Sequence, residues 1–399
     1  MSDGPLSHVK VLDLTHSRAG PFCTKLFSGF GAAVIKIERP RCGDCLRQQG
    51  PFLRNIPGVE RSLPFNWLNT GKQSLTLDLK TDEGKDILGR LIERSDILVE
   101  NFSPGVMERL SFGYKDVCSR NPGIIMTSIS NFGQDGPYRD FRADEKVLYA
   151  MSGGMAATGD SDLPPLSSGP PITQYTAGLH AYIATLMALM RCNAEGNGEY
   201  IDVSIHESAI ENIEIQLAEF LQGGKVARRN GDEHPLVPWR CYPCSDGYAA
   251  IIGGPLRHWK NAPGLFEEPR LSDPSLKHMA SRIERRREVE AMIRPWLMKN
   301  KRKDIYHRGQ ALGLAFGYLA NIDDILQSSQ LNAREFFFRS QPHPEIGSMQ
   351  LCGPVFRFAG AKGDDRRAPL LGEHNEMILV DLLGYTGKTV KEYERQEVI

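Results

Sequence analysis

The residue with the most direct bearing on chemistry is Gln174, which stands just ahead of a long apolar helix predicted to begin near Thr176. The N-terminus of a helix offers free backbone N–H groups and a partial positive charge, so a carboxylate placed there is easily kept ionised and used as a nucleophile. Gln174 puts an uncharged amide in that place, and an amide cannot attack a carbonyl carbon as a carboxylate does. The role of Gln174 therefore depends on the groups that surround it.

Anion-binding side chains follow the predicted strands at the points where the strands end. Because the carboxyl ends of parallel strands meet at one edge of a sheet, these side chains are expected to surround one crevice, and converging cations suit a polyphosphate. A single cation of this kind is usually a solvated surface charge, but cations at equivalent ends of several strands favour a binding site. The residues at or just after the predicted strand ends are Arg18, Arg39, Lys80, Asn101, Phe102 and Arg109.

Apolar strands alternate with helices through the first third of the chain, and this alternation must position those side chains. Strands are predicted over residues 9–14, 33–38, 74–78, 97–101 and 123–130, with helices between them, including 81–94 and 107–120. Such alternation indicates an α/β fold with a mainly parallel sheet, a Rossmann-like doubly wound domain. A Gly- and Pro-broken stretch over 128–171 is typical of an active-site segment, and the helix over 177–190 is expected to be buried.

Composition and charge exclude several classes of protein. The chain has 399 residues, is 41% hydrophobic, and balances 48 Lys and Arg against 49 Asp and Glu for a net charge of −1. No global field attracts nucleic acid or an acidic membrane, and no apolar run approaches the ~20 residues of a membrane span. With no signal pattern at the N-terminus, the sequence predicts a cytoplasmic protein without a nucleic-acid or membrane partner.

The cysteines and glycines give weak signals for metals and nucleotides. Cys42 and Cys45 form one C-x-x-C pair and Cys241 and Cys244 another, which in principle supply four thiolates to zinc. The pairs lie far apart and no flanking histidine completes a site, so reduced thiols and no metal are favoured. The glycines at 29–31 end a helix instead of opening one, and no Walker sequence occurs, so neither NAD binding nor nucleotide hydrolysis is predicted.

The composition shifts twice along the chain and suggests four segments. Residues 1–222 are assigned to a large Rossmann-like domain, 223–238 to a linker, 239–325 to a small α+β domain, and 326–399 to a return linker and the C-terminal part of the large domain.

A series of motifs in one order resembles the family III CoA-transferases, the group that includes formyl-CoA transferase, carnitine CoA-transferase and α-methylacyl-CoA racemase. Such a series is far more specific than any single motif. The matching segments lie at 12–21, 31–40, 99–105, 121–122, 131–138, 152–153, 196–203 and 371–374.

The resemblance implies a large Rossmann-like domain built from both chain ends, an inserted small domain, and two ring-like subunits interlocked as a dimer. It also implies coenzyme A, carried in as an acyl-CoA substrate, as the ligand. The positions that match the family's adenosine and phosphate pocket are Ser17, Arg39, Leu77, Lys80, Asn101, Phe102, Arg109 and Arg142; Arg18 comes from the strand-end argument alone.

The same resemblance implies a nucleophilic aspartate, which forms a mixed anhydride and then an aspartyl thioester, at the place where this chain has Gln174. The racemase branch needs a histidine where this chain has Asp144, so racemisation is not expected. The glycine-rich loop that covers the nucleophile in formyl-CoA transferase is represented only by residues 253–255, and a short loop fits a site that does not shield an anhydride from water.

These observations predict a CoA-transferase subunit that lacks its nucleophile and pairs with a paralogous subunit carrying the aspartate. The chain is similar to the non-nucleophilic subunit of two-subunit members such as succinyl-CoA:(R)-benzylsuccinate CoA-transferase. One alternative is a self-sufficient transferase in which Glu145 replaces the lost carboxylate, and another is a non-catalytic acyl-CoA-binding protein.

Overall fold

The computed structural model of the chain describes residues 4–252, 259–353, 355–359 and 365–399. The chain divides into two compact units, each assembled from separate stretches of sequence. The first unit comprises Met1–Gly154, Ser167–Gln222 and Asn332–Ile399, and the second comprises Met155–Leu166 and Gly223–Leu331.

A six-stranded parallel sheet forms the centre of the first unit, with its strands in the order β3-β2-β1-β4-β5-β6. The order reverses between β1 and β4, as in a doubly wound sheet, so the α/β fold class predicted from the alternation is confirmed. The strands are β1 (Lys10–Asp13), β2 (Ala33–Glu38), β3 (Gln73–Thr76), β4 (Ile97–Glu100), β5 (Ile125–Ser130) and β6 (Glu199–Ser204).

Helices cover both faces of this sheet, because its strands are apolar on both sides. In β1, Val11 packs into one core with Phe27 and Ala177, whereas Leu12 packs into the opposite core with Ile87 and other residues. The helices through residue 223 are α1 (Ala19–Gly29), α2 (Leu63–Leu68), α3 (Asp82–Ile92), α4 (Val106–Arg109), α5 (Tyr114–Arg120), α6 (Glu145–Met151), α7 (Gly154–Ala157), α8 (Ile172–Glu195), α9 (Ile205–Ile210) and α10 (Glu214–Gly223), with 3₁₀ turns at Cys45–Gln48, Leu53–Asn55 and Glu211–Ile213.

The longest helix, α8, approaches α1 very closely at Gly178. A Cβ atom added to Gly178 would lie 2.5 Å from the carbonyl oxygen of Ala19. One face of α8 is buried against the sheet, but Leu179, Ile183 and other apolar side chains of the opposite face are exposed in the single chain. The expectation that this helix is buried on nearly every side is therefore wrong for the chain alone.

The C-terminal segment returns to the first unit and closes the β3 edge of the sheet. The His374 N–H donates to the Ser74 carbonyl, and the Asn375 side chain exchanges hydrogen bonds with Thr76. This segment contains β10 (Phe337–Arg339), β11 (Gln350–Cys352), a π-helical stretch (Met377–Leu382) and a final helix (Gly387–Arg395).

The second unit has its own small antiparallel sheet and its own core. Its strands are β7 (Trp239–Cys244), β8 (Gly247–Ile252) and β9 (Ala315–Tyr318), paired in that order. Arg282 is fully buried there, over the Trp259 ring. The helices of this part are Ala262–Leu265, Met279–Glu284, Arg286–Lys299, Arg302–Ala311, Ile322–Leu326 and Ser329–Ala333, with 3₁₀ turns at Pro269–Ser272 and Pro274–Lys277.

Candidate functional site

A cleft of about 880 Å³ opens at the carboxyl ends of β1, β2 and β3. Four of the predicted site residues line it, namely Arg39, Leu77, Lys80 and Phe102. Arg39 and Lys80 are exposed, and in the described part of the chain neither side chain has a hydrogen-bond or ion-pair partner. Together with the apolar Leu77 and Phe102, they provide free cations beside an apolar wall, a combination that suits a ligand with phosphates and a flat ring.

We refer to Asp13, Lys36, Asp44 and Lys72 as the buried charge network, which is fully or almost fully shielded from solvent and of which Asp44 also lines this cleft. The Lys72 ammonium donates to Asp13 at 2.9 Å, and the Lys36 ammonium pairs with Asp44 at 2.9 Å. Burial alone would raise the pKa of the Asp13 carboxyl, but Lys36 and Lys72 outweigh burial and hold that pKa well below its usual range.

The network fixes the turn that forms the cleft floor. The backbone N–H of Thr15 donates to Asp13 at 2.9 Å, and the Lys36 ammonium donates to the Thr15 carbonyl at 2.7 Å. Leu14, Thr15 and His16 line the cleft, so their positions depend on charges buried below them.

A second set of buried charges supports the cleft at the end of β2. The Arg47 guanidinium makes two hydrogen bonds to Glu38, at 2.7 and 2.9 Å, and a third to Glu60 at 2.7 Å. Arg47 also lies 3.7 Å from the centre of the Phe65 ring. Paired hydrogen bonds of this kind are directional, so Glu38 and the loop that follows β2 are held in one geometry.

Two of the predicted residues hold the turn after β1 without lining the cleft. The Asn101 side chain accepts from the His16 N–H at 2.9 Å and donates to the His16 carbonyl at 2.7 Å. Ser17 has φ of 66°, and its N–H donates to Asp44 at 3.0 Å. A non-glycine residue in this conformation is strained, and such strain persists only where neighbouring contacts enforce it.

The three other predicted residues also lie outside the lining of this cleft. Arg109 and Arg142 are exposed on the surface. Arg18 lies near Tyr175 in α8, where its charge opposes the burial that raises the pKa of the Tyr175 hydroxyl. In the single chain, the carboxyl ends of the strands therefore bring only some of the predicted cations together.

The start of α8 differs from its predicted position. The helix begins at Ile172, not near Thr176, so Gln174 lies within the first turn. The Glu145 carboxylate accepts hydrogen bonds there from the Thr173 N–H at 3.1 Å, from the Thr173 hydroxyl, and from the Gln174 N–H at 3.3 Å. Glu145 thus supplies the negative charge that stabilises this helix N-terminus.

The residues of the buried charge network were not predicted from the sequence. One signal was present: Lys36 interrupts the apolar strand at 33–38, and Asp13 lies near the end of the apolar strand predicted at 9–14. A charge inside a strand that is buried on both faces must be paired, and a lysine and an aspartate on neighbouring strands could have been proposed as partners.

Three further predictions concern the short glycine-rich loop, the absence of a metal site and the absence of a membrane span. The glycine-rich stretch at 253–255 lies outside the described residues. Over residues 4–252, 259–353, 355–359 and 365–399, no group of three or more His, Cys, Asp or Glu side chains is arranged to hold a metal ion. Among the helices of the same residues, none is both long and apolar enough to cross a membrane.

A family model described as CoA-transferase family III matches residues 6–375. The chain therefore belongs to CoA-transferase family III, whose members act on acyl-CoA, and the resemblance carried by its motifs is confirmed. It is 34% identical to a formyl-CoA:oxalate CoA-transferase from Streptomyces avermitilis, with 95% of each chain covered. It is 32% identical to a succinyl-CoA–D-citramalate CoA-transferase from Chloroflexus aurantiacus, over 99% of this chain and 98% of that one.

Solved structures agree with this assignment. A CaiB/BaiF family protein from Brucella suis superposes with a TM-score of 0.85 at 28% identity, covering 96% of this chain and all of the other. A protein from Mycobacterium tuberculosis superposes with a TM-score of 0.81 at 24% identity, covering 94% of this chain and 99% of the other, which supports the fold alone.

Proposed function

We propose that this chain is the non-nucleophilic subunit of a CoA-transferase that moves CoA between an acyl-CoA and a small carboxylic acid. Its catalytic partner would be a paralogous subunit that carries the nucleophilic aspartate. The proposal is supported by the first turn of α8, which contains Gln174, the residue that the resemblance aligns with the nucleophile, and in which the Gln174 N–H is bonded to Glu145. We infer that the acceptor is a small carboxylic acid because the relatives, by their names, act on oxalate and on citramalate.

The missing step is nucleophilic attack. In the partner, an aspartate oxygen would attack the thioester carbonyl, the carbon–sulfur bond would break, and CoA would leave as a thiolate while a mixed anhydride forms. The thiolate would then attack the aspartyl carbonyl and release the acyl group as a free acid. An amide nitrogen has its lone pair delocalised into the carbonyl, and an amide oxygen carries no charge, so Gln174 cannot begin this sequence.

The CoA ligand would occupy the cleft at the ends of β1, β2 and β3. Its phosphates would pair with Arg39 and Lys80, and its adenine would contact Leu77 and Phe102. Arg39 and Lys80, which are exposed and have no side-chain partner among the described residues, support this placement, because charge-assisted bonds to phosphate oxygens would satisfy both. Arg109 and Arg142 would join them only if binding or assembly moves them toward the ligand.

A second subunit would cover the exposed face of α8. Leu179, Ile183, Met187 and Met190 form an apolar stripe along this helix, and Met190 is 74% exposed. Apolar stripes of this length mark surfaces that contact another chain. The interlocked dimer implied by the resemblance stays a prediction, and pairing with a paralogue instead of a second copy is part of the proposal.

The test compares the isolated chain with the Gln174→Asp variant in the presence of acyl-CoAs and hydroxylamine, which traps activated acyl groups. We expect no trapped adduct and no turnover from the unaltered chain. In a parallel incubation without hydroxylamine, which would cleave a thioester, the variant is expected to form a covalent aspartyl-CoA adduct, seen as a mass increase of the intact protein, with little turnover. Purification from the native source, with any bound chain identified by mass, should recover a paralogue that has the aspartate.

A self-sufficient enzyme that uses Glu145 is the second candidate, because this carboxylate lies within hydrogen-bond distance of the Gln174 N–H. Three donors already occupy it, and a carboxylate so engaged is a weaker nucleophile. The Glu145→Gln variant separates the two readings: loss of a hydroxylamine-trapped adduct would favour Glu145 chemistry. Tight CoA binding with neither a partner nor turnover would favour a non-catalytic binding protein.

A further inference from the structure

A second cleft of about 540 Å³ lies beside the ends of β4 and β5, under the segment that contains α4 and α5. It shares only Ser103 with the lining of the first cleft in the part of the chain that the structure describes. Glu100, Met126 and Ser128 line it from the sheet, and Tyr114 and Tyr200 line it with their rings. The proposed transfer reaction makes no use of this cleft.

The Glu100 carboxyl is the central polar group of the second cleft. Its side chain is 3% exposed, and it accepts hydrogen bonds from the Phe102 N–H at 2.7 Å and from the Ser128 hydroxyl. No Lys, Arg or His nitrogen within the described ranges lies within 4 Å of it. A buried carboxylate without a countercharge is costly, and burial accordingly raises the pKa of Glu100 to about 7. A bound cation would remove that cost.

The other groups around Glu100 favour a cation with an apolar body. The Tyr114 and Tyr200 rings lie 5.2 Å apart between centroids, and aromatic rings beside a carboxylate attract ammonium groups. Glu108 and Asp116 add negative charge at the exposed rim, against Lys115 and Arg139. Asp202, on β6, also acts on Glu100 by raising its pKa.

One further polar atom points to a specific feature of the ligand. The Gln134 side chain lines the cleft, and its Nε2 atom is buried without a hydrogen-bond partner among the residues described. A buried amide donor without an acceptor costs free energy, so a ligand that presents an oxygen acceptor there would be preferred.

We propose that the second cleft binds a small organic ammonium compound that carries an oxygen acceptor, with the ammonium group beside Glu100 and the Tyr114–Tyr200 pair and the oxygen facing Gln134. The site is distinct from the CoA cleft, and the proposal does not depend on which subunit carries the nucleophile.

The test uses choline as the probe and 3,3-dimethyl-1-butanol, its neutral isostere, as the matched ligand control. Calorimetry on the full chain at pH 8 should show binding of choline and at least a tenfold weaker interaction of the neutral alcohol. The Glu100→Gln variant should lose at least tenfold in choline affinity. The Glu394→Gln variant, which removes an exposed carboxylate on the final helix, should bind choline as the unaltered chain does.

The pH dependence gives a second measurement on the unaltered chain, should Glu100→Gln fail to fold. The groups that face Glu100 are Glu108 from α4, Tyr114, Lys115 and Asp116 at α5, Arg139 from the loop after β5, and Tyr200 and Asp202 from β6. Choline should bind only when the Glu100 carboxyl is ionised. Because the pKa of that carboxyl is about 7, choline affinity should fall about tenfold when the pH is lowered from 8 to 6.

Three results would overturn the proposal. They are no choline binding at pH 8, equal affinities for choline and its neutral isostere, and choline affinity unchanged both by Glu100→Gln and by the shift to pH 6.

Discussion

Replacing Lys72 by methionine tests whether the buried charge network holds the cleft proposed for CoA in place. The Lys72 ammonium donates to Asp13 at 2.9 Å, to Thr24 at 2.7 Å and to Asn69 at 2.8 Å, all out of contact with solvent. Methionine fills the volume of the lysine carbon chain, lacks its terminal nitrogen and removes the charge, so Asp13 keeps Lys36, at 3.9 Å, as its remaining cation. Breaking a buried ion pair costs about 3–5 kcal/mol, and because Lys36 remains we expect about 3 kcal/mol.

A matched control is Lys25→Met. Lys25 is half-buried, and in the described part of the chain its ammonium donates only to the Trp67 carbonyl, at 2.6 Å, and lies 4.7 Å from the centre of the Trp67 ring. Burial lowers the pKa of Lys25 to about 8, and no carboxylate in the described part of the chain depends on its charge. We therefore expect Lys25→Met to cost about 1 kcal/mol, roughly one net hydrogen bond.

The assay is urea unfolding followed by tryptophan fluorescence, with CoA affinity measured in parallel by calorimetry. Lys72→Met should also weaken CoA binding, because Asp13 positions the Thr15 turn in the cleft floor, whereas Lys25→Met should not. In the double variant Asp13→Asn with Lys72→Met, the total cost should be less than the sum of the single costs, since Lys36 is still neutralised by Asp44. Equal costs for the two lysine variants, or strict additivity in the double variant, would refute this reasoning.

Three other predictions concern the two clefts and the helix contact. Arg39→Ala should weaken CoA binding by about 1.5–3 kcal/mol, the range for a hydrogen bond to a charged group, while exposed Lys391→Ala should leave it unchanged; calorimetry showing equal affinities would exclude the cleft as the phosphate site. The pKa of Glu100 is raised from 4.5 to about 7, so between these pH values the native state keeps a proton that the unfolded state releases. The free energy of unfolding therefore falls as pH rises from about 4.5 to 7. Glu100→Gln should thus gain stability over the unaltered chain between pH 5 and pH 8, by at most about 3 kcal/mol in urea unfolding, and a gap independent of pH would contradict the burial argument. Gly178→Ala should cost about 1–3 kcal/mol because its Cβ would meet the Ala19 carbonyl, whereas Gly169→Ala, where a Cβ meets nothing within 4 Å, should not; similar melting temperatures for both variants would show that α1 and α8 can separate freely.

The order of strands and helices was predictable because it depends on local pattern. Apolar runs of four to six residues separated by helical segments define the parallel sheet, and the observed strands at 33–38 and 97–100 match the predicted ones closely. The placement of Arg39 and Lys80 at one cleft also followed from topology, since strand ends in a parallel sheet share an edge.

The start of α8 was not predictable in the same way, because its cap is distant in sequence. No Ser, Thr, Asp or Asn precedes Ile172 in the usual capping position, and the cap comes from Glu145, 28 residues before Thr173. The partners of Lys36 and Lys72 are set by long-range packing, which no local pattern encodes. The exposure of Arg109 and Arg142 depends on how the loops after β4 and β5 run, and the sequence does not specify those paths.

The closure of the β3 edge by the C-terminal segment has a consequence for synthesis on the ribosome. The Asp78 N–H donates to the Val398 carbonyl at 2.7 Å, and Gln396 and Glu397 line the cleft proposed for CoA, whose first lining residues are made more than 350 positions earlier. The cleft therefore cannot be completed before residues 396 and 397 have been translated. A nascent chain stopped anywhere before these residues would carry Arg39 and Lys80 yet lack one wall of their site. Its parallel sheet would expose the β3 edge to chaperones or to other chains until the segment containing His374 and Val398 has been made.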